Sequence, residues 1–118
     1  MKQICIINNH SPLNSAHGRE ALDMAMIFAA FEQEVSYILQ GPAVLSVVKG
    51  QQPEQLGHKD YLSTIKALEL YEVDNLIVCG HSLAAYGLTE ADIISNAHVY
   101  NKAQINTLLT QQQHVLTF

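Results

Sequence analysis

Ile4 to Ile7 is an unbroken apolar run closed by Asn8 and Asn9, the pattern of a strand covered on both faces. A polar stretch, NNHSPLNSAHG, separates it from GREALDMAMIFAAF, Gly18 to Phe31. The charges of that segment, Arg19, Glu20 and Asp23, stand in its first turns, and Ala, Met and Leu dominate the rest. It predicts a widely buried helix, with Asn14 or Ser15 available as its cap and the early acids suited to its positive end. VSYIL, Val35 to Leu39, predicts the second strand, punctuated by Gly41 and Pro42. AVLSVV, Ala43 to Val48, fits a short helix as well as a strand, and KGQQPEQLG after it reads as a loop.

Beyond Asp60, a candidate cap, Tyr61, Ile65 and Leu68 keep helical spacing through to about Tyr71. Leu76 to Val78 predicts a third strand, and Ser82 to Tyr86 a short helix stopped by Gly87. A short strand near Ala97 to Val99, a helix from Lys102 to Leu109 and a last strand in HVLTF complete the series. Strands alternating with helices predict an α/β fold: one domain over residues 1–118, three layers α/β/α, around a five-stranded, mostly parallel sheet. In such sheets the working groups sit beyond the carboxyl ends of the strands. That rule selects two places, the loop after the first strand and Cys79 after the third.

Composition narrows the function classes. A length of 118 residues suits one core, and 48% hydrophobic against 14% charged residues suits a chain that buries apolar surface on both faces of a sheet or against partner subunits. The net charge is -5, and the six cations, Lys2, Arg19, Lys49, Lys59, Lys66 and Lys102, are scattered, which disfavours direct nucleic-acid binding. MKQICIINN is too short in apolar residues for a signal peptide, and no stretch reaches membrane-spanning length. The expectation is a cytoplasmic protein with reduced cysteines and no membrane contact.

Cys79 ends its strand and opens the next helix, where backbone N–H groups and the helix dipole favour a thiolate; His81 is placed to assist if its ring turns back. The same position equally suits a small, unreactive core cysteine. Cys5, between Ile4 and Ile6, reads as core packing, and its spacing from Cys79 leaves a disulfide open while the expected compartment argues against one. The loop at 8–18 has the hydroxyls and amides of a weak anion site without the glycine spacing of nucleotide loops. The six histidines fall into no metal-binding pattern, and neither a Gly-x-Ser-x-Gly elbow nor a Cys-x-x-Cys pair is present. No cofactor and no metal are expected.

Four segments carry a resemblance: GREALD (18–23), GQQPE (50–54), KDYLSTIKALELYEV (59–73) and VCGHSLAAYGL (78–88). Together they resemble the TusC/DsrF branch of the DsrE/DsrF/DsrH sulfur-relay family, with the likeness running from the first strand to HVLTF. The resemblance implies the α/β layout derived above. It further implies a subunit of a heterohexamer with TusB-like and TusD-like chains. Such a complex takes persulfide sulfur from a donor carrier protein and passes it to an acceptor, toward 2-thiouridine at the tRNA wobble position. Cys79 occupies the position of the family's sulfur-carrying cysteine, a duty generally assigned to the TusD-like partner, which makes this chain a structural or accessory subunit. The alternatives are a DsrF-like subunit of an intracellular sulfur-oxidation complex and, outside the family, a small anion- or flavin-binding domain.

Overall fold

The computed structural model describes residues 2–10, 17–48, 68, 73, 75–94 and 96–118, with residues 17–19 described by backbone alone. The apolar runs become five strands: β1 (Gln3–Asn8), β2 (Glu34–Leu39), β3 (Asn75–Cys79), β4 (His98–Tyr100) and β5 (His114–Thr117). Three α-helices are described, α1 (His17–Ala30), α2 (Gly80–Ala85) and α3 (Lys102–Thr110). Two 3-10 helices join them, Gly41–Val47 and Glu90–Asp92. The segment that fitted helix or strand equally is therefore the first 3-10 helix, opened by Pro42 in its first turn, and Val48 beyond it makes a single antiparallel bridge with Ile93. The helix predicted from Asp60 to Tyr71 lies outside the described residues except for Leu68, which is fully buried.

The strands order as β4-β3-β2-β1-β5, and every pairing is parallel, which sharpens the expected mostly parallel sheet. The steps from β1 to β4 all move one way across the sheet, so right-handed crossovers put their connections on one face. The return from β4 to β5 travels the other way, which sends α3 to the opposite face. Packing agrees with this. Ile4, Ile6, Tyr37, Leu76 and Val78 meet Ala21, Leu22 and Ala25 of α1 and Leu83 of α2, whereas Cys5, Ile7, Ile38, Ile77 and Cys79 meet Ile105 of α3. Two apolar faces explain why the strands read as continuous apolar runs rather than alternating ones.

The end of α2 is set by Gly87, at φ 70°. Its N–H donates to the Ala84 carbonyl at 2.9 Å, the Leu88 N–H donates to the Leu83 carbonyl at 3.0 Å, and Leu88 packs back onto the core cluster that holds Leu83. A Cβ on Gly87 would meet nothing within 4 Å, so substitution tests the left-handed backbone alone. Gly87→Ala is expected to lower stability by about 1–2 kcal/mol in urea unfolding, with an unchanged m-value. The 3-10 turn at Glu90–Asp92 carries a sequence signal of its own, T-E-A-D, in which the Thr89 N–H and hydroxyl both donate to the Asp92 carboxylate at 2.8 and 3.2 Å.

Candidate functional site

Register decides what surrounds the cysteine. Asn8 pairs with Leu39, and Leu39 with Val78, so the next row of the sheet sets Asn9, Gln40 and Cys79 side by side, with Tyr100 as the pairing partner of Cys79. This row forms the carboxyl edge of the sheet on the α3 side. The Gln40 Nε2 donates to Asn9 Oδ1 at 2.7 Å and the Asn9 backbone N–H donates to the Phe118 carbonyl at 2.9 Å, tying the ends of β1, β2 and the chain segment after β5 together. Both places singled out by the strand-end rule thus converge: the loop after β1 contributes Asn9, and β3 contributes Cys79. Residues 11–16 of the first loop lie outside the described residues.

Above this row lies an open cleft of about 420 Å³. Ile7, Asn9, Gln40 and Cys79 form its sheet side, His81 and Ser82 its α2 side, and Lys102, Ile105, Asn106 and Leu109 its α3 side. The four α3 residues recur at the three- and four-residue spacing that aligns one helical face. Ser82 has a structural duty there, since its Oγ accepts the Gly41 N–H at 2.8 Å and pins α2 to the 3-10 helix. Gly80 lets β3 run close to β4: a Cβ on it would stand 3.1 Å from Val99 Cγ1 and 3.4 Å from the Tyr100 carbonyl oxygen.

Cys79 is 6% exposed and free of disulfide, and it walls the cleft. It is the N-cap residue of α2, yet its side chain makes no capping hydrogen bond and the helix has six residues, a short source of dipole. His81 is exposed and shares the cleft wall with Cys79, so the structure brings together both residues singled out in the sequence. Cys5 is fully buried, and loss of water around it pushes its thiol up to about 12, which leaves it protonated and inert at neutral pH. Two strand spacings and four residues separate the cysteines along the sheet, about 16 Å between Cα atoms, well past the ~7 Å reach of a disulfide. That closes the pairing which sequence spacing left open.

Asn9 entered the sequence reading only as the close of the first apolar run and part of the loop at 8–18, and Lys102, Ser82, Gln40 and Asn106 were not singled out there as site residues. The signal was available: each of Asn9, Gln40 and Lys102 stands within two residues of a strand's carboxyl end, and applying the strand-end rule to every strand would have named them. Among the described residues no cluster of three or more His, Cys, Asp or Glu could hold a metal ion, and no described helix is long and apolar enough to cross a membrane.

The five-stranded all-parallel sheet with helices on both faces makes this an α/β protein. The profile of the DsrE/DsrF-like family matches residues 2–118, and the chain belongs to that family. Within it the chain is TusC-like. It is 31% identical over its whole length, and that of the relative, to the Protein TusC homolog of Vibrio parahaemolyticus serotype O3:K6. The TusC homologs of Vibrio vulnificus and Aliivibrio fischeri match at 29% and 27% identity, again over 100% of each chain. The fold has a solved counterpart in the crystal structure of the ychN protein from E. coli, with a TM-score of 0.88 over 100% of both chains at 20% identity.

Proposed function

We propose that this chain is the TusC-like subunit of a cytoplasmic TusBCD-type sulfur-relay complex, a heterohexamer that passes persulfide sulfur from a donor carrier protein to an acceptor, toward 2-thiolation of the tRNA wobble uridine. The observation that carries the reading is the full-length similarity to TusC homologs on an end-to-end DsrE/DsrF-like match. The surface of α1 supports a subunit role. Ile27 is 49% exposed and Phe31, four residues on, is 71% exposed, so a large apolar pair stands in water one helical turn apart. Docking onto TusB-like and TusD-like chains would cover it. The net charge of -5 and the scatter of the six Lys and Arg along the sequence disfavour a direct grip on tRNA, which leaves nucleic acid to other components.

Co-expression with TusB-like and TusD-like chains is expected to yield one stable assembly of two heterotrimers by light scattering. A chain that stays a well-behaved monomer and co-purifies with neither partner would overturn the reading.

The cleft favours a second role within the same complex, in which Cys79 itself accepts sulfur. The Cys79 thiolate would attack the terminal sulfur of a protein persulfide; the donor's S–S bond breaks, the donor leaves as a thiolate, and Cys79 becomes the perthiol. The sulfur atom and electron pairs balance without an added oxidant or reductant. What supports this reading is that Cys79, unlike Cys5, borders an open space with polar side chains around it.

A further inference from the structure

We infer that Lys102 is a positioning residue for the proposed sulfur chemistry: its ammonium is the counter-charge for anionic sulfur at Cys79. The inference rests on the reading in which Cys79 accepts sulfur.

Lys102 and Cys79 wall one cleft from different layers, the lysine on α3 and the cysteine at the end of β3. The backbone that carries Lys102 is held. Asn101 caps α3 by accepting the Gln104 N–H at 2.8 Å, and the Gln104 side chain accepts the Asn101 N–H at 2.9 Å, so the first turn of the helix is closed from both sides. Pairing of Tyr100 with Cys79 sets that turn two residues from the cysteine's own row.

The placement of Lys102 conflicts with its local surroundings. It is the first residue of α3, where the helix dipole is positive and a cation is unfavourable. A residue set against its local preference points to a role outside the folding of its own helix. No carboxylate stands among the described residues that line the cleft, and Lys102 is the one permanently charged side chain there. The rest of the lining is mixed, with Ile7, Ile105 and Leu109 beside the polar Asn9, Gln40 and Asn106. Lys102 is exposed, so its ammonium acts on an anion in the cleft through a largely aqueous, salt-screened dielectric, and its effect is correspondingly modest.

A perthiol formed on Cys79 gives up its proton to water as a perthiolate. The Lys102 charge, unmatched by a carboxylate among the described residues of the cleft, is what holds that anion, and it likewise draws anionic reagents over neutral ones of similar shape.

The discriminating experiment compares iodoacetate with iodoacetamide on the purified full chain, with modification at Cys79 followed by peptide mass spectrometry. In Lys102→Gln the ratio of the two rate constants, anionic over neutral, is expected to fall by about two- to fivefold at low ionic strength. Lys102→Arg is expected to restore it; the thermal unfolding midpoint of Lys102→Arg is expected to match that of the parent, and that of Lys102→Gln to be equal or slightly higher as the helix N-terminus loses a cation. An unchanged ratio in Lys102→Gln, a lowered ratio that Lys102→Arg does not restore, or a Cys79 that neither reagent reaches would each overturn the inference. The sulfur-acceptor reading has a separate fate. If the ratio falls as expected while Cys79 gains no sulfur from a persulfide donor, the acceptor role is lost and the charge site stands.

Discussion

Tyr37→Ala is expected to lower the free energy of unfolding by about 3–5 kcal/mol, a large share of the ~5–15 kcal/mol typical of a domain. Tyr37 lies at the middle of the central strand β2, is fully buried, and packs among the residues of the α1 side of the core. Truncation removes the ring and leaves a cavity that a close-packed sheet cannot collapse to fill. The hydroxyl has its own duty. It accepts the Asn8 Nδ2 at 3.2 Å, and Asn8 is itself 2% exposed, so the two polar groups satisfy each other inside the core. Burial raises the Tyr37 hydroxyl pKa well above its usual value, while the Asn8 bond works the other way, so the phenol stays neutral. Tyr37→Phe therefore keeps the volume and strands the amide, at a cost of about 1–3 kcal/mol. Urea unfolding of the two variants separates packing from hydrogen bonding: a Phe variant as stable as the parent would show that the Asn8 amide finds another partner.

Cys79→Ser is expected to abolish sulfur uptake by this chain while leaving assembly intact. The oxygen is nearly isosteric with the sulfur and stands at the same cleft wall, so packing against Ile105 and the β4 junction is kept, whereas a serine hydroxyl cannot take sulfur from a persulfide at neutral pH. Intact-mass spectrometry of the complex after exposure to a cysteine desulfurase and its carrier protein reads the outcome directly. One added sulfur on the parent chain and none on the variant is the expected pair. Sulfur appearing on the TusD-like partner alone, with parent and variant equally bare, would reduce this chain to a scaffold. Cys5→Ser serves as the internal control, because the buried, protonated Cys5 has no route to the cleft.

These two sites differ in how far the sequence discloses them. Tyr37 stands in VSYIL, a run whose composition and punctuation mark a strand, and its burial follows from that assignment. Cys79 was marked as a strand-end thiol by the apolar run before it and Gly80 after it. Local sequence already sets Cys5, between Ile4 and Ile6, inside a strand; for Cys79 the same pattern also suits an inert core cysteine, and nothing nearby in the chain shows whether that strand end meets open space. The distinction comes from position along the strand: Cys5 is in the middle of β1, and Cys79 is at the edge where the sheet ends and the cleft begins.

By itself the sequence determined the elements that the structure describes: five apolar runs, the helices α1, α2 and α3, the stop at Gly87, the α/β class, and a resemblance carried by segments spread along the chain. Those features are local, because periodicity, capping and turn chemistry act over a few residues. Tertiary structure decided the strand order, the isolation of α3 on one face, and the meeting of Asn9, Gln40, Cys79 and Lys102 around a single cleft. Register and crossover direction arise from hydrogen bonds and packing between segments far apart in the chain, as when the Gln3 N–H donates to the Gln113 side chain 110 residues away, and no local window contains both partners.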